Sequence, residues 1–237
     1  MTGLRRALAF LTIFGGAAEP DGRTMRWFPI AGAVVGAAVG AAWWAAGKLW
    51  PPLVVGAVAG VADLVITGLL HVDGLIDSAD GLLPHMERDR RLQVMREPTV
   101  GAFGVAVVVA VMLVRASVFA SLAPNVVVVA AVWAASRTVM AVAARSLPYA
   151  RAEAGGLATP MLGEGAASVG VLGVLVAVAL GAVAARGWGV AAVGSTFVAG
   201  GLVVAFARRR IGGFTGDVLG AAGVISETVG LLVLAAR

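Results

Sequence analysis

Seven stretches of this 237-residue chain run for nearly the length a helix needs to cross a bilayer, about 20 residues, with no more than one Asp, Glu, Lys or Arg apiece. They cover residues 27–46, 53–72, 100–122, 126–144, 166–185, 190–207 and 218–235. A soluble core of this size cannot hide a chain that is 60% hydrophobic and 13% charged, so the bilayer must act as the apolar solvent. The expected fold is all-α: a polytopic transmembrane helix bundle of about seven spans, forming a single integral membrane domain over residues 1–237. The first span carries Gly32, Gly36 and Gly40 at four-residue spacing. Such spacing lets helix backbones approach closely, although glycine is also simply common in membrane helices.

Charge orients the bundle. With the N-terminus in the cytoplasm and the spans alternating, thirteen of the 18 basic residues fall on the cytoplasmic side, three outside (Lys48, Arg186, Arg237) and two within spans (Arg115, Arg137). This is a strong positive-inside bias. Eleven of the 13 carboxylates fall on the same side, with Asp63 and Glu227 inside spans. The long connections, 73–99 and 145–165, are cytoplasmic in this arrangement and the outer ones are short, so an active site is expected on the cytoplasmic face. Residues 1–26 resemble a signal peptide, but the cleavage pattern is poor and Arg23 and Arg26 follow; the better reading is an interfacial amphipathic helix. The net charge of +5 is scattered between apolar spans with no basic stripe, which argues against a nucleic-acid partner. With no cysteine, thiolate metal sites, disulfides and cysteine nucleophiles are excluded.

The densest chemistry follows the second span, at His71-Val72-Asp73-Gly74-Leu75-Ile76-Asp77-Ser78-Ala79-Asp80-Gly81. Asp73, Asp77 and Asp80 stand at i, i+4 and i+7, so on a helix they share one stripe. Three like charges so close call for a cation, and a hard divalent ion such as Mg²⁺ takes oxygen ligands while keeping water for substrate phosphates. The alternate-residue ligands and terminal Glu of an EF-hand are absent. A solvated acidic loop is the plainer alternative. His71 reads as an interfacial hydrogen-bonding residue and His85 as a loop residue. Residues 87–96 read as a short amphipathic helix ended by Pro98, with arginines suited either to phosphate or to charge pairing at the interface.

Near the C-terminus, Gly212-Gly213-Phe214-Thr215-Gly216-Asp217 leads into the last span. A Gly-rich turn opening a helix is an anion seat, and Asp217 adds a fourth carboxylate at the depth of the first three. Ionisable residues inside spans, Asp63, Arg115, Arg137 and Glu227, are functional candidates by default. For Asp63 and Arg115 structural polar glue is the preferred reading; Arg137, next to Ser136, is nearer the working face and is assigned to phosphate. The segment 145–156 adds Tyr149, Arg151 and Glu153 to that surface.

Taken together, the Asp-rich block, Met95-Arg96 with Gly101 and Phe103-Gly104, Ser136-Arg137, Tyr149-Ala150-Arg151 and the Thr215-Gly216-Asp217 turn with Leu219-Gly220 resemble the cobalamin synthase family, the adenosylcobinamide-GDP ribazoletransferases. Leu4–Phe14 is also similar to that family's start, and the match runs in order through nearly the whole chain. The resemblance implies a Mg²⁺-dependent membrane phosphotransferase that joins adenosylcobinamide-GDP to α-ribazole or its 5′-phosphate, releasing GMP. On that footing Asp73, Asp77, Asp80 and Asp217 are expected to hold metal, and one of the first three to act as general base. Arg96, Arg137 and Arg151, with Thr215 and Gly216, would bind phosphate. Glu97-Pro98-Thr99 departs from the family's pattern and receives no role. A lipid synthase of the CDP-alcohol phosphotransferase kind ranks second, because no Ala-Arg follows the acidic block where that family needs it. A transporter, suggested by the ionisable residues inside spans, ranks third for want of an internal repeat.

Overall fold

The computed structural model describes residues 3–16, 22–151 and 165–236; most of the segment 145–165, including Glu153, lies outside them. Among the described residues nine α-helices follow in order: α1 Gly3–Leu11, α2 Phe28–Ala46, α3 Pro52–Ile66, α4 Leu70–Leu82, α5 Arg88–Val94, α6 Ala102–Ser121, α7 Val126–Ser146, α8 Ala166–Ile211 and α9 Gly216–Ala235. A 3₁₀ turn, Thr24–Trp27, leads into α2. Among the described residues five helices are long and apolar enough to cross a membrane, or six if the bent pair α3 and α4 counts as one span. The chain is therefore a multi-pass membrane protein of helical class.

The helix ends follow from local sequence. Pro29 and Pro52 stand in the first turns of α2 and α3, where a missing N–H costs nothing. The Asn125 side chain caps α7 by accepting from the amides of Val127 and Val128, each at 3.1 Å. The glycine stripe of α2 packs directly on α7: a Cβ on Gly32 or Gly36 would stand 2.6 or 2.7 Å from the carbonyl oxygens of Trp133 and Val129.

Two breaks distinguish the structure from a row of straight spans. The stretch expected to run over 53–72 stops at Ile66, and α4 leaves the line of α3 by 93°. Gly68 and Leu69 both take the left-handed conformation, with φ of 58° and 63°. The Gly68 amide donates to the Val65 carbonyl and the Leu69 amide to that of Leu64, the bonding of a Schellman end. The second break lies inside α8, where Ala185 and Arg186 leave helical φ/ψ and the chain turns back. Gly181 and Gly189 then face each other across the turn, with a Gly189 Cβ position only 1.9 Å from the Gly181 carbonyl. Eight residues of straight helix would hold them about 12 Å apart.

Inside the bundle Asp63, Arg115, Arg137 and Glu227 form one buried network. Arg115 pairs with Asp63 and, at 3.0 Å, with Glu227; Arg137 pairs with the other Glu227 oxygen. Trp133 Nε1 donates to Asp63 at 3.2 Å, Ser136 donates to Glu227 at 2.7 Å, and Arg115 donates to Thr228 at 3.1 Å. Two cations and two anions from α3, α6, α7 and α9 cancel one another, so burying them is tolerable. Such mutual pairing is what the glue reading of Asp63 and Arg115 requires.

Candidate active site

The site forms at one end of the bundle, where α4 crosses the N-terminal turn of α9. Asp73, Asp77 and Asp80 lie on α4 and so do share a helical stripe. The opposite stripe, including Leu75, Ala79 and Leu82, is buried against the bundle. Gly74 lets the second helix in: a Cβ there would stand 2.7 Å from the Asp217 carbonyl oxygen and 2.9 Å from its Cα. Gly220 does the same from the other side, its Cβ position 3.0 Å from the His71 carbonyl oxygen. The acidic stripe and Asp217, 137 residues apart from Asp80 in sequence, thus meet through glycine-to-backbone contact.

The segment holding Arg151 is fastened to the start of α9. The Ala150 amide donates to the Phe214 carbonyl at 2.9 Å and the Phe214 amide to that of Pro148 at 3.0 Å. Gly213 permits this, since its Cβ position lies 2.1 Å from the Pro148 oxygen. Arg88 clasps the pair, donating to the Ile211 carbonyl at 3.0 Å and the Ala150 carbonyl at 3.3 Å. Arg151 then pairs with Asp217 at 2.8 Å and donates to the Met95 carbonyl at 3.1 Å. Arg96 is exposed and near enough to Tyr149 to act on its hydroxyl, whose pKa burial pushes up. Gly216, the first residue of α9, is exposed with open space around it, so the free amides of that helix end face the same pocket of charge.

The stripe of α4 lies level with the first residues of α6 and α9, at the ends of those helices. There Asp77 is half-buried, and its pKa is pushed up to about 7 by burial first, then by the charges of Asp217 and Asp73. Arg151 acts the other way and Asp80 adds a smaller push. Crowded carboxylates of this kind present the hard oxygen donors Mg²⁺ takes. Among the described residues no three acidic or histidine side chains stand as a ready-made cage. The fit is to an ion held by one or two carboxylates that completes its shell with water and substrate phosphate, which is how Mg²⁺ is ordinarily bound.

Several residues stand apart from their expected roles. Both Asp80 oxygens accept backbone bonds, from the Gly101 amide at 2.7 Å and the Gly104 amide at 2.8 Å, and the side chain is buried. It fastens α4 to the N-terminus of α6, where a carboxylate meets free amides and the positive helix end. Arg137 does not reach the phosphate site: it is 1% exposed and its guanidinium is engaged by Glu227 and Ser136. Thr215 is also buried, its hydroxyl accepting from the Val218 amide at 3.3 Å and donating to Asp217 at 3.2 Å, so it caps α9 and aims the carboxylate. His71, in the first turn of α4, is buried, and neither ring nitrogen has a hydrogen-bond partner among the described residues, contrary to the hydrogen-bonding role expected of it. Arg91, one of the arginines left between phosphate and pairing, donates to the carbonyls of Gly81 and Leu82, both at 2.9 Å, and closes the end of α4. The sequence signal for these roles is faint, because a cap made across 21 residues has no local spacing to mark it.

The model of the cobalamin-5-phosphate synthase family matches residues 3–235. Among curated proteins, the adenosylcobinamide-GDP ribazoletransferase of Chlorobaculum parvum is 35% identical, over 96% of this chain and 92% of its own length. Those of Desulforamulus reducens and Leptothrix cholodnii are 33% and 34% identical, over 95% and 87% of this chain and 92% and 82% of theirs. No solved structure matches the chain.

Proposed function

We propose a specific reaction for this chain, which belongs to the cobalamin-5-phosphate synthase family and is a transferase of cobalamin biosynthesis: it moves the adenosylcobinamide phosphate of adenosylcobinamide-GDP onto α-ribazole or its 5′-phosphate and releases GMP. The observation that carries this is the convergence of Asp73 and Asp77 on α4 with Asp217 on α9, beside Arg151, in a chain whose relatives bear the name of that ribazoletransferase. The transporter reading falls away, since the ionisable residues inside the bundle are consumed by one another.

Bound Mg²⁺, held by Asp73 and Asp217 with Asp77 alongside, would neutralise the pyrophosphate and the departing GMP. The rest falls to this chain. Arg151, Arg96 and the free amides at Gly216 bind and orient phosphate oxygens. The ribazole hydroxyl oxygen forms a new bond to the cobinamide-bearing phosphorus, the bond from that phosphorus to the GMP oxygen breaks, and the hydroxyl proton passes to Asp77. Asp77 is half-buried beside Asp73 and Asp217, and a cation on those neighbours would keep it ionised and able to take that proton. Asp80 acts by holding α4 and α6 in place.

Our proposed topology has seven crossings, made by α2, α3, α6, α7, the two limbs of α8, and α9, with α4 lying across the cytoplasmic end. The N-terminus and the site are then cytoplasmic, in the cell's inner or plasma membrane. The fold-back at Ala185–Arg186 and the thirteen-to-three distribution of basic residues support it. The decisive test incubates purified protein with adenosylcobinamide-GDP, α-ribazole and Mg²⁺ and measures GMP. Asp77→Asn should lower the rate by about 10²–10⁴ while the protein inserts normally. Full activity in that variant, or no GMP from the wild type, refutes the assignment.

A further inference from the structure

On the side of α4 turned away from the carboxylates, a groove of about 360 Å³ opens between α4, α6, α8 and α9. Leu75, Val107, Leu202, Phe206 and Ile225 line it, and Ser78 is its only polar side chain among the described residues. The outer wall is open to the apolar surroundings: Leu202 is 66% exposed and Phe206 36%. Ser78 by contrast is buried, and its hydroxyl has no hydrogen-bond partner among the described residues. A helical serine ordinarily relieves itself on the carbonyl one turn back. Here the unspent hydroxyl belongs to a groove otherwise suited only to hydrocarbon.

Charge marks one end of this groove. The Arg210 guanidinium lies over the Phe206 ring, 5.1 Å from its centroid. Arg91 reaches the same end from the other wall, bonded to the carbonyl of the groove residue Leu82. Burial first, and then the nearby charge of Arg210, disfavour the Arg91 cation, and the Glu87 carboxylate partly offsets this. Among the described residues, the ion pairs formed do not include Arg208, Arg209 or Arg210, which end α8 at this level. An apolar channel with cations at its mouth, and a lone hydroxyl one helical turn inside, matches one kind of molecule from headgroup to chain.

We propose that this groove binds an anionic phospholipid, with its phosphate between Arg210 and Arg91, an ester carbonyl accepting from Ser78, and one acyl chain along Leu75, Leu202 and Ile225. Juxtamembrane arginines attract such lipids, and a fixed apolar slot adds chain contacts that free phosphate cannot supply. The site lies behind the acidic stripe, so the lipid braces α4 against α8 and α9 from the side opposite the reaction. It does not depend on the identity of the substrate.

The experiment uses the full-length protein in nanodiscs of phosphatidylcholine alone or with added phosphatidylglycerol, read by thermal unfolding, and native mass spectrometry of protein released from the mixed bilayer. Wild type should retain about one phosphatidylglycerol and unfold at higher temperature when that lipid is present. Arg210→Gln should weaken retention about fivefold, and Leu202→Trp, which fills the slot without touching the charge, should weaken it as much. Both variants should unfold like wild type in phosphatidylcholine alone. Equal retention in wild type and both variants overturns the proposal, as does equal stabilisation by inorganic phosphate in phosphatidylcholine discs.

Discussion

Asp77 sits half-buried with carboxylates of the same sign around it and one arginine opposing them. Its pKa near 7 compares with an ordinary aspartate value of about 3.9. The group is raised on folding, so its contribution to stability is complete below about pH 4 and is lost as pH climbs toward 7, where the folded state must carry the charge. Cation-free protein should therefore show a Tm that declines between pH 4 and 7, and Asp77→Asn should flatten that decline. Mg²⁺ should flatten it too in the wild type, because a cation rewards the ionised form. Identical pH profiles for wild type and Asp77→Asn without metal would contradict this. At this scale the sequence identified the acidic residues by their spacing. It did not separate Asp80 from Asp77, because what distinguishes them is the pair of amides at Gly101 and Gly104 that only folding delivers.

Helices meet here through absent side chains. The α4–α9 junction depends on Gly74, and Gly74→Ala would put a methyl group 2.7 Å from the Asp217 backbone. The two helices must then separate, and Asp73 and Asp217, proposed to hold one ion together, move apart. The expected result is a loss of GMP release of about 10²-fold, with weaker Mg²⁺ dependence rather than unfolding. Gly60→Ala, where nothing lies within 4 Å, serves as the control and should leave activity intact. The GMP assay at several Mg²⁺ concentrations measures both. The sequence showed the Gly32, Gly36 and Gly40 stripe plainly, because a four-residue repeat is a local pattern. Gly74 belongs to no such repeat, and its partner, Asp217, lies in a distant segment. The break after Ile66 was equally hidden, since apolar residues continue through Leu70 and hydropathy does not register a 93° bend.

Across the molecule the ion network ties α3, α6, α7 and α9 below the site. Removing the Arg137 charge leaves Glu227 with one cation fewer in a buried setting, and Arg137→Met should cost about 3–5 kcal/mol. Thermal unfolding in detergent checks this. The KM for the nucleotide substrate, measured at a temperature where the variant remains folded, should be unchanged; a large rise would return Arg137 to the phosphate site. What the sequence determined by itself was class: an all-helical membrane chain from apolar length, with acidic spacing and a Gly-rich turn marking the two segments that α4 and α9 bring together. Each of these is a property of consecutive residues. Only tertiary structure decided which charges work and which are consumed, because pairing and burial depend on side chains more than a hundred positions apart, such as Arg115 and Glu227. Hydropathy gives the depth of a residue in the bilayer, and only packing says what it faces.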